Sequence, residues 1–325
     1  MRRVACFPFG VVTRTVLFSA QKNEGPFLLE WVAYHRVLGF SDIVIVSNDC
    51  DDGGDALLDR LADAGELTHI RQEVPPGVAP QVSAERLARE AGCFRPGDWI
   101  MWLDLDEFLL PSPPHRTVRD LIAALGDAAA LMVAWRFFGD SGNTTWPGRH
   151  VGPAFTRAAP RRKGANAQVK TLFRYGPEIE RLDIHRPRLA PGVGRAHFPV
   201  LISSGNPADD LFYDAARQRP FNRLVGQRRP YILAQVAHFS VRTPDMFLRK
   251  AQRGDGYHTR PDAVVRDTAL YDGRNFNQVA ETSLAHRAPE TDEEIARLLS
   301  RPGATEACAG IEGFRDPLPE AADTS

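Results

Sequence analysis

Over residues 13–110 the chain alternates short apolar runs with stretches whose apolar positions recur at helical spacing. Val16-Leu17-Phe18-Ser19-Ala20 reads as a first strand. Gly25-Pro26 opens a helix with proline in its first turn. Leu28, Trp31, Val32 and His35 fall at i, i+3, i+4 and i+7 along it, and Gly39 suits its C-terminal cap. That spacing gives one buried face, so Trp31 and His35 are expected in the core. The β-branched run Ile43-Val44-Ile45-Val46 is a second strand, followed by an acidic, glycine-bearing turn from Asn48 to Gly54. Asp55 is placed to cap a helix over Ala56 to Ala64 that Gly65 ends, and Leu67-Thr68-His69-Ile70 makes a third strand. A proline-rich loop at 75–80 leads to a helix over Val82 to Ala91 and then to a fourth strand, Trp99 to Leu103. Strand–helix alternation with short connections predicts an α/β fold, a doubly wound, mostly parallel, Rossmann-like sheet with helices on both faces.

The fourth strand is the most informative part of the chain, because it ends in Asp104, Asp106 and Glu107 within four positions. Carboxylates packed that closely repel one another and lose hydration, which a cation or a proton offsets. An all-oxygen group suits a hard ion such as Mg²⁺ or Mn²⁺ and points to a phosphorylated substrate. The bland alternative is a solvated loop start. The apolar framing weighs against it: Trp99 to Leu103 carries no charge, and Phe108-Leu109-Leu110 is apolar again. In open α/β sheets ligands lie beyond the carboxyl ends of strands, where both these acids and the Asp49-Cys50-Asp51-Asp52 turn would sit.

Composition changes this picture only at its edges. With 325 residues, 43% hydrophobic and 25% charged, the chain can bury a large core, and a net charge of −1 gives no sign of a nucleic-acid surface. Lysine is confined to Lys22, Lys163, Lys170 and Lys250. Cys6, Cys50, Cys93 and Cys308 are scattered without metal-ligand spacing, which fits a reducing compartment. There is no signal-peptide core and no transmembrane run, so a cytoplasmic protein is expected, with peripheral contact at the inner face of the membrane left open.

The chain resembles glycosyltransferases of the GT-A fold, in particular the bacterial family 2-like group. The resemblance rests on Lys22-Asn23-Glu24 with Glu30-Trp31 and Tyr34-His35, on Ser47-Asn48-Asp49 with Asp52, and on Trp102-Leu103-Asp104-Leu105-Asp106-Glu107-Phe108. It continues through Phe138-Gly139, Lys170 with Phe173-Arg174, His185-Arg186-Pro187, His238-Phe239, Phe247-Leu248 and Lys250 to Gly254. It implies a GT-A domain over 1–255, with a nucleotide-sugar-binding half at 13–110 and an acceptor-side half at 111–255, and then a partly helical C-terminal extension at 256–325.

The activity implied is metal-dependent, inverting transfer of a sugar from a nucleoside-diphosphate sugar, UDP-linked by preference, to a glycan or glycoconjugate acceptor. Asp104 matches the residue at the donor ribose or metal shell, and Asp106 matches the ligand of Mn²⁺ or Mg²⁺. Glu107 is expected to brace the strand end. Related enzymes read the base at the turn holding Asn48, Asp49 and Asp52, and a carboxylate can accept the imide N–H of uracil; Asp51 and Asp55 are better read as turn and cap. Lys22, Asn23 and Glu24 follow the first strand at the same edge, with Glu24 otherwise a helix-start residue. His238 is either a metal ligand or a core histidine in the strand-like run 233–240. Lys250 and Arg253, one helical turn apart, either close over the diphosphate or form a solvated face.

The base that takes the acceptor proton is Asp140, just beyond a strand signal at Leu131 to Trp135, or Asp183, or Glu178. Asp140 stands where related enzymes carry serine. Residues 140–230 show poor periodicity and many Arg, Pro and Gly, and are expected to be long acceptor-side loops. In the tail one helix is expected near Glu293 to Ser300 and a frayed end at Pro317 to Ser325. Two rival functions share the acidic strand end: a metal-dependent phosphohydrolase acting on nucleotide sugars, and a catalytically silent nucleotide-sugar-binding scaffold.

Overall fold

A computed structural model describes residues 13–148, 150–213, 231–252 and 266–314. Strands β1 (Thr15–Gln21), β2 (Asp42–Asn48), β3 (Thr68–Gln72), β4 (Trp99–Trp102), β5 (Glu107–Pro111), β6 (Ala130–Phe137), β7 (Val169–Arg174), β8 (Val200–Ile202) and β9 (Ala234–His238) form one nine-stranded sheet. Its order is β3-β2-β1-β4-β7-β6-β9-β5, with β8 also paired to β6. All run parallel except β5 and β7. The fold is therefore the mixed α/β, mainly parallel sheet flanked by helices that the alternation predicts.

The two-residue period of the strands sorts their side chains into two layers. Leu17, Ile43 and Ile45 pack with α1 (Gly25–Val37), α2 (Gly54–Asp63) and α4 (Val118–Ala124) on one face. Val16, Phe18, Val44 and Val46 pack with Ala84 and Ala88 of α3 (Pro80–Glu90) on the other. Strands β1 and β2 are thus buried on both sides, as their near-continuous apolar runs require.

Several local expectations change. Helix α2 begins at Gly54, so Asp55 lies inside its first turn and does not cap it. Asp52 bonds the helix start instead: its Oδ1 accepts from the Gly54 N–H at 2.9 Å, and its Oδ2 accepts from the Gly25 N–H of α1 at 2.7 Å. The segment 140–230, expected as loops, contributes β7 to the centre of the sheet, where it joins β4 to β6. A six-residue strand, five of its residues buried, is too short to register as periodicity among prolines, glycines and arginines.

The later helices are α5 (Pro244–Gln252), α6 (Thr268–Arg274), α7 (Ala288–Leu299) and α8 (Ala304–Ala309). Helix α7 starts earlier than expected, with Pro289 in its first turn. Its Ile295 and Leu298, together with Ala304, Cys308 and Ile311, share the core of α1 and α2. Glu66 takes Arg297 through both oxygens at 2.6 Å and Arg301 at 2.7 Å, while Arg36 bonds Glu294 at 2.7 Å. Residues 288–311 thereby complete the helical layer beside α1. The expected fray at 317–325 and Cys6 lie outside the described residues, and Cys50, Cys93 and Cys308 form no disulfide with one another.

Candidate active site

The parallel strands β1, β2, β4, β6 and β9 end at one edge, and the antiparallel β5 and β7 begin there. Register brings particular residues level: His238 pairs with Phe137 on one side and Glu107 on the other. The Met101–Leu172 pairing, carried two residues on, sets Lys170 beside the Asp104 turn. Backbone strain gathers at the same edge. Among the described residues, the non-glycine positions with positive φ are Asn23 (52°), Asp49 (48°), Ser141 (55°) and Arg242 (50°), each a few residues beyond the end of β1, β2, β6 or β9.

The Asp104–Glu107 turn is held from several directions. The Glu107 N–H donates to the Asp104 carbonyl at 3.0 Å, and the Asp104 N–H donates to Glu107 Oε2 at 2.9 Å. Trp31 Nε1, on α1, donates to the carbonyls of Asp104 (3.1 Å) and Glu107 (2.9 Å). Arg242 Nη2 donates to the Leu105 carbonyl at 3.0 Å, and the Phe239 N–H to the Asp106 carbonyl at 2.8 Å. Trp31 and His35 are core residues as expected. His35 Nδ1 donates to the Trp31 carbonyl, Nε2 faces the Leu109 N–H, and burial pushes the imidazole pKa down to about 3, so it is neutral.

Two lysines offset the three carboxylates. Lys170 Nζ lies 3.2 Å from Asp104 Oδ2 and 3.1 Å from Glu107 Oε2, and Lys250 pairs with Asp106. Burial disfavours the charged Lys170, but Asp104 and Glu107 outweigh it and raise its pKa. Burial also opposes ionisation of Asp106, yet Lys250 and His238 hold its carboxyl well below the usual range. Glu107 moves the other way, because burial and the neighbouring Asp104 and Asp106 charges exceed the pull of Lys170.

Asp106, Glu107 and His238, all buried, offer ligand atoms within 4.8 Å of one another. Glu107 Oε1 and His238 Nδ1 have no hydrogen-bond partner among the described residues, and burial keeps the imidazole toward its neutral form. Two carboxylates and an imidazole with unsatisfied buried acceptors fit the demand of Mn²⁺ or Mg²⁺. Glu107 thus joins Asp106 and His238, while Asp104 turns to Lys170.

The other expected residues divide. Lys22 Nζ lies 3.9 Å from the exposed Asp49, and Asn48 Nδ2 donates to Asp49 Oδ2 at 3.0 Å, so these three meet at the β2 end. Asn23 is clasped to Asp51 by two hydrogen bonds of 2.6 and 3.0 Å. Glu24 is buried in an ion pair at 2.7 Å with Arg242, the residue that bonds the Leu105 carbonyl of the acidic turn. Asp183 Oδ1 accepts from the Ile184 N–H at 2.7 Å. The neighbouring His185 lies 5.5 Å from Trp135, which lies 4.2 Å from His238. The Asp140 carboxylate accepts from Gly142 N–H, Tyr271 Oη and the side-chain amides of Asn275 and Asn277 at 2.6–3.0 Å. Glu178 Oε2 lies 2.6 Å from where a Cβ on Gly176 would stand. Arg253 lies outside the described residues. Lys170 and Arg242 were not expected at the site. The signal for Lys170 was a charge one residue inside the strand-like run Val-Lys-Thr-Leu-Phe, ahead of Arg174; Arg242 carried none.

No protein-family model matches the chain. Over 140 residues, 42% of its length, it is 31% identical to a glycosyltransferase family 92 protein of Ricinus communis. Over 226 residues, 62% of its length, it is 28% identical to one from Arabidopsis thaliana. The chain is similar to plant glycosyltransferase family 92 proteins. It spans only 24% and 36% of the length of those two relatives. Among solved structures, S. aureus TarS 1-349 aligns over 90% of this chain and 72% of its own, at 11% identity and a TM-score of 0.35. Glucosyl-3-phosphoglycerate synthase from Mycobacterium tuberculosis, in complex with Mg²⁺ and UDP, covers 37% of this chain and 43% of its own at 14% identity and a TM-score of 0.24. The fold assignment rests on the strand order and register described above. Among the described residues no helix is long and apolar enough to cross a membrane.

Proposed function

We propose that the chain is a glycosyltransferase that moves a sugar from a nucleoside-diphosphate donor to a glycan or glycoconjugate acceptor. The observation that carries this reading is the Asp104–Glu107 turn at the carboxyl edge of the sheet, set against His238, Lys170 and Lys250. The similarity to family 92 glycosyltransferases supports it, and the GT-A resemblance of the donor half is retained at that level; the narrower family 2-like placement is part of the proposal.

In this reading Asn48, Asp49 and Lys22 read the base and ribose, with UDP preferred, and Asp104 meets the donor beside them. Asp106, Glu107 and His238 would hold the divalent ion, which supplies Lewis-acid neutralisation of the leaving diphosphate. Lys250 adds a positive charge at the same place. Asp183 is the base on the acceptor side: its second oxygen takes no hydrogen bond among the described residues, and the Trp135–His185 pair beside it offers a sugar-stacking wall. The transfer is proposed to invert the anomeric centre, which requires the acceptor oxygen, with Asp183 taking its proton, to attack opposite the leaving group. A cytoplasmic setting fits the scattered spacing of the cysteines.

The test is calorimetric binding of UDP, GDP and several UDP-sugars, with and without Mn²⁺, to the wild type and to Asp106→Asn, with a thermal melt to confirm folding. Mn²⁺-dependent UDP binding that the substitution removes is the expected result. No nucleotide binding in any condition sinks the proposal.

A further inference from the structure

Helix α6 and the residues after it are bound tightly to the carboxyl end of β6. Besides the four hydrogen bonds into the Asp140 carboxylate, the Asp140 N–H donates to Asn275 Oδ1 at 2.8 Å and the Ser141 N–H to Asn277 Oδ1 at 2.9 Å. Gly139 permits this approach, since a Cβ there would collide with both asparagine side chains. The clasp reaches the site by two routes. Phe276 packs on Phe137 (5.9 Å between rings), which stacks on His238 (4.9 Å). Tyr271 packs edge-on against Phe247 of α5, the helix that carries Lys250 (5.2 Å).

Arg274 stands at the end of α6, between these contacts. No carboxylate pairs with its guanidinium among the described residues, and the acid whose field reaches it is Asp106; its charge is felt in turn by His238. An exposed arginine at the end of a helix clasped to this edge, with no partner of its own among the described residues, is suited to a bidentate phosphate contact. Asp140, by contrast, is poorly suited to take a proton. Burial alone would raise its pKa, but its donors from Gly142, Tyr271, Asn275 and Asn277 outweigh that and lower it.

Resting on the donor-binding reading above, we infer that Arg274 contacts the diphosphate of the nucleotide sugar, and that Asp140 is a positioning residue that fixes Tyr271–Asn277 so that this guanidinium faces Asp106 and His238. The C-terminal segment is then part of the donor site and not an appendage to it.

The experiment compares binding of UDP and of uridine by calorimetry in the wild type, Arg274→Gln, Asp140→Asn and the double variant, each checked by thermal melt. Arg274→Gln should weaken UDP by about tenfold or more and uridine by less than about twofold, because one charge-assisted contact to phosphate is lost. Asp140→Asn should repeat that UDP-selective loss and add little in the Arg274→Gln background, as expected for residues acting through one contact. A merely structural Asp140 would instead lower both ligands and add fully in the double variant, which overturns its role. Arg274→Gln binding UDP as the wild type does, or losing UDP and uridine alike, overturns the inference while leaving the donor reading intact. Should Asp140→Asn not fold, the Arg274→Gln result decides. A wild type that binds no UDP removes the donor reading, and this inference with it.

Discussion

The Lys170 ammonium lies 3.1 Å from Glu107 Oε2, and neither side chain reaches solvent. Lys170 also faces Asp104 at 3.2 Å, so one lysine from β7 offsets two acids of the turn after β4. Removing it leaves buried charge uncompensated. Lys170→Met is expected to cost about 3–5 kcal/mol of stability in urea denaturation, and Glu107→Leu in that background to restore part of the loss. A single variant as stable as the wild type would mean the acids are neutralised by some other group.

Trp31 holds the same turn from below, with one indole N–H shared between the carbonyls of Asp104 and Glu107. Trp31→Phe keeps most of the packing and deletes that donor. It should cost about 1–2 kcal/mol in thermal or urea unfolding and weaken Mn²⁺-dependent UDP binding, since the acidic turn is then less fixed. Unchanged affinity would show that Arg242 and Phe239 suffice to hold the turn.

Residues 13–110 were legible because each of their signals is local. A β-branched run, a helix with one apolar face and a glycine after it specify β1, α1 and β2 within a dozen residues each. Asp104 and Asp106 stood out for the same reason, as charges ending an uncharged run. What the sequence concealed is long-range. Lys170 reaches the site only because β7 inserts antiparallel between β4 and β6, and Arg242 only because the chain returns after β9 to meet Glu24. Asp55 reads as the cap of α2 because helix starts are judged from the residue just before them, whereas the residue that bonds the start, Asp52, lies further back and also serves α1, 27 positions away. The α6 segment carried no apolar stripe, its role resting on polar bonds to Asp140.

Glu66 joins the C-terminal helices to α1 through Arg36, Arg297 and Arg301. The Arg297 hydrogen bonds come first among the causes that take its pKa from 4.5 to about 2. A depressed carboxyl stabilises the fold fully above its ordinary value and loses that contribution as pH falls through the folded one. Stability should therefore decline between about pH 5 and 2 by about 1–3 kcal/mol from this group, less at high salt. Glu66→Gln should be less stable at pH 7 and show a shallower decline over that window in melts taken at successive pH values. Parallel curves for the two proteins would exclude Glu66 as a contributor.

Asp52 bonds the first N–H groups of two helices with one carboxylate, Gly25 of α1 through Oδ2 and Gly54 of α2 through Oδ1. Its carbonyl also accepts the Glu312 N–H at 2.8 Å, so three separated segments meet there. The helices approach so closely that a Cβ on Gly25 would lie 2.8 Å from Asp52 Oδ2 and 2.7 Å from Ile311 Cγ2. Each lost cap costs about 0.5–2 kcal/mol, and both helix dipoles favour the negative charge. Asp52→Ala is accordingly expected to cost about 2–3 kcal/mol, the approximate sum of two caps. Asp52→Asn, which keeps one acceptor oxygen and loses the charge, should fall between it and the wild type. Gly25→Ala should destabilise although alanine favours helix, because its methyl group forces Asp52 or Ile311 aside. Chemical denaturation of the three variants distinguishes the cases: equal stability of Asp52→Asn and wild type would show that hydrogen bonding at one helix suffices, and a stabilised Gly25→Ala would mean that the α1–α2 approach is looser than these contacts require.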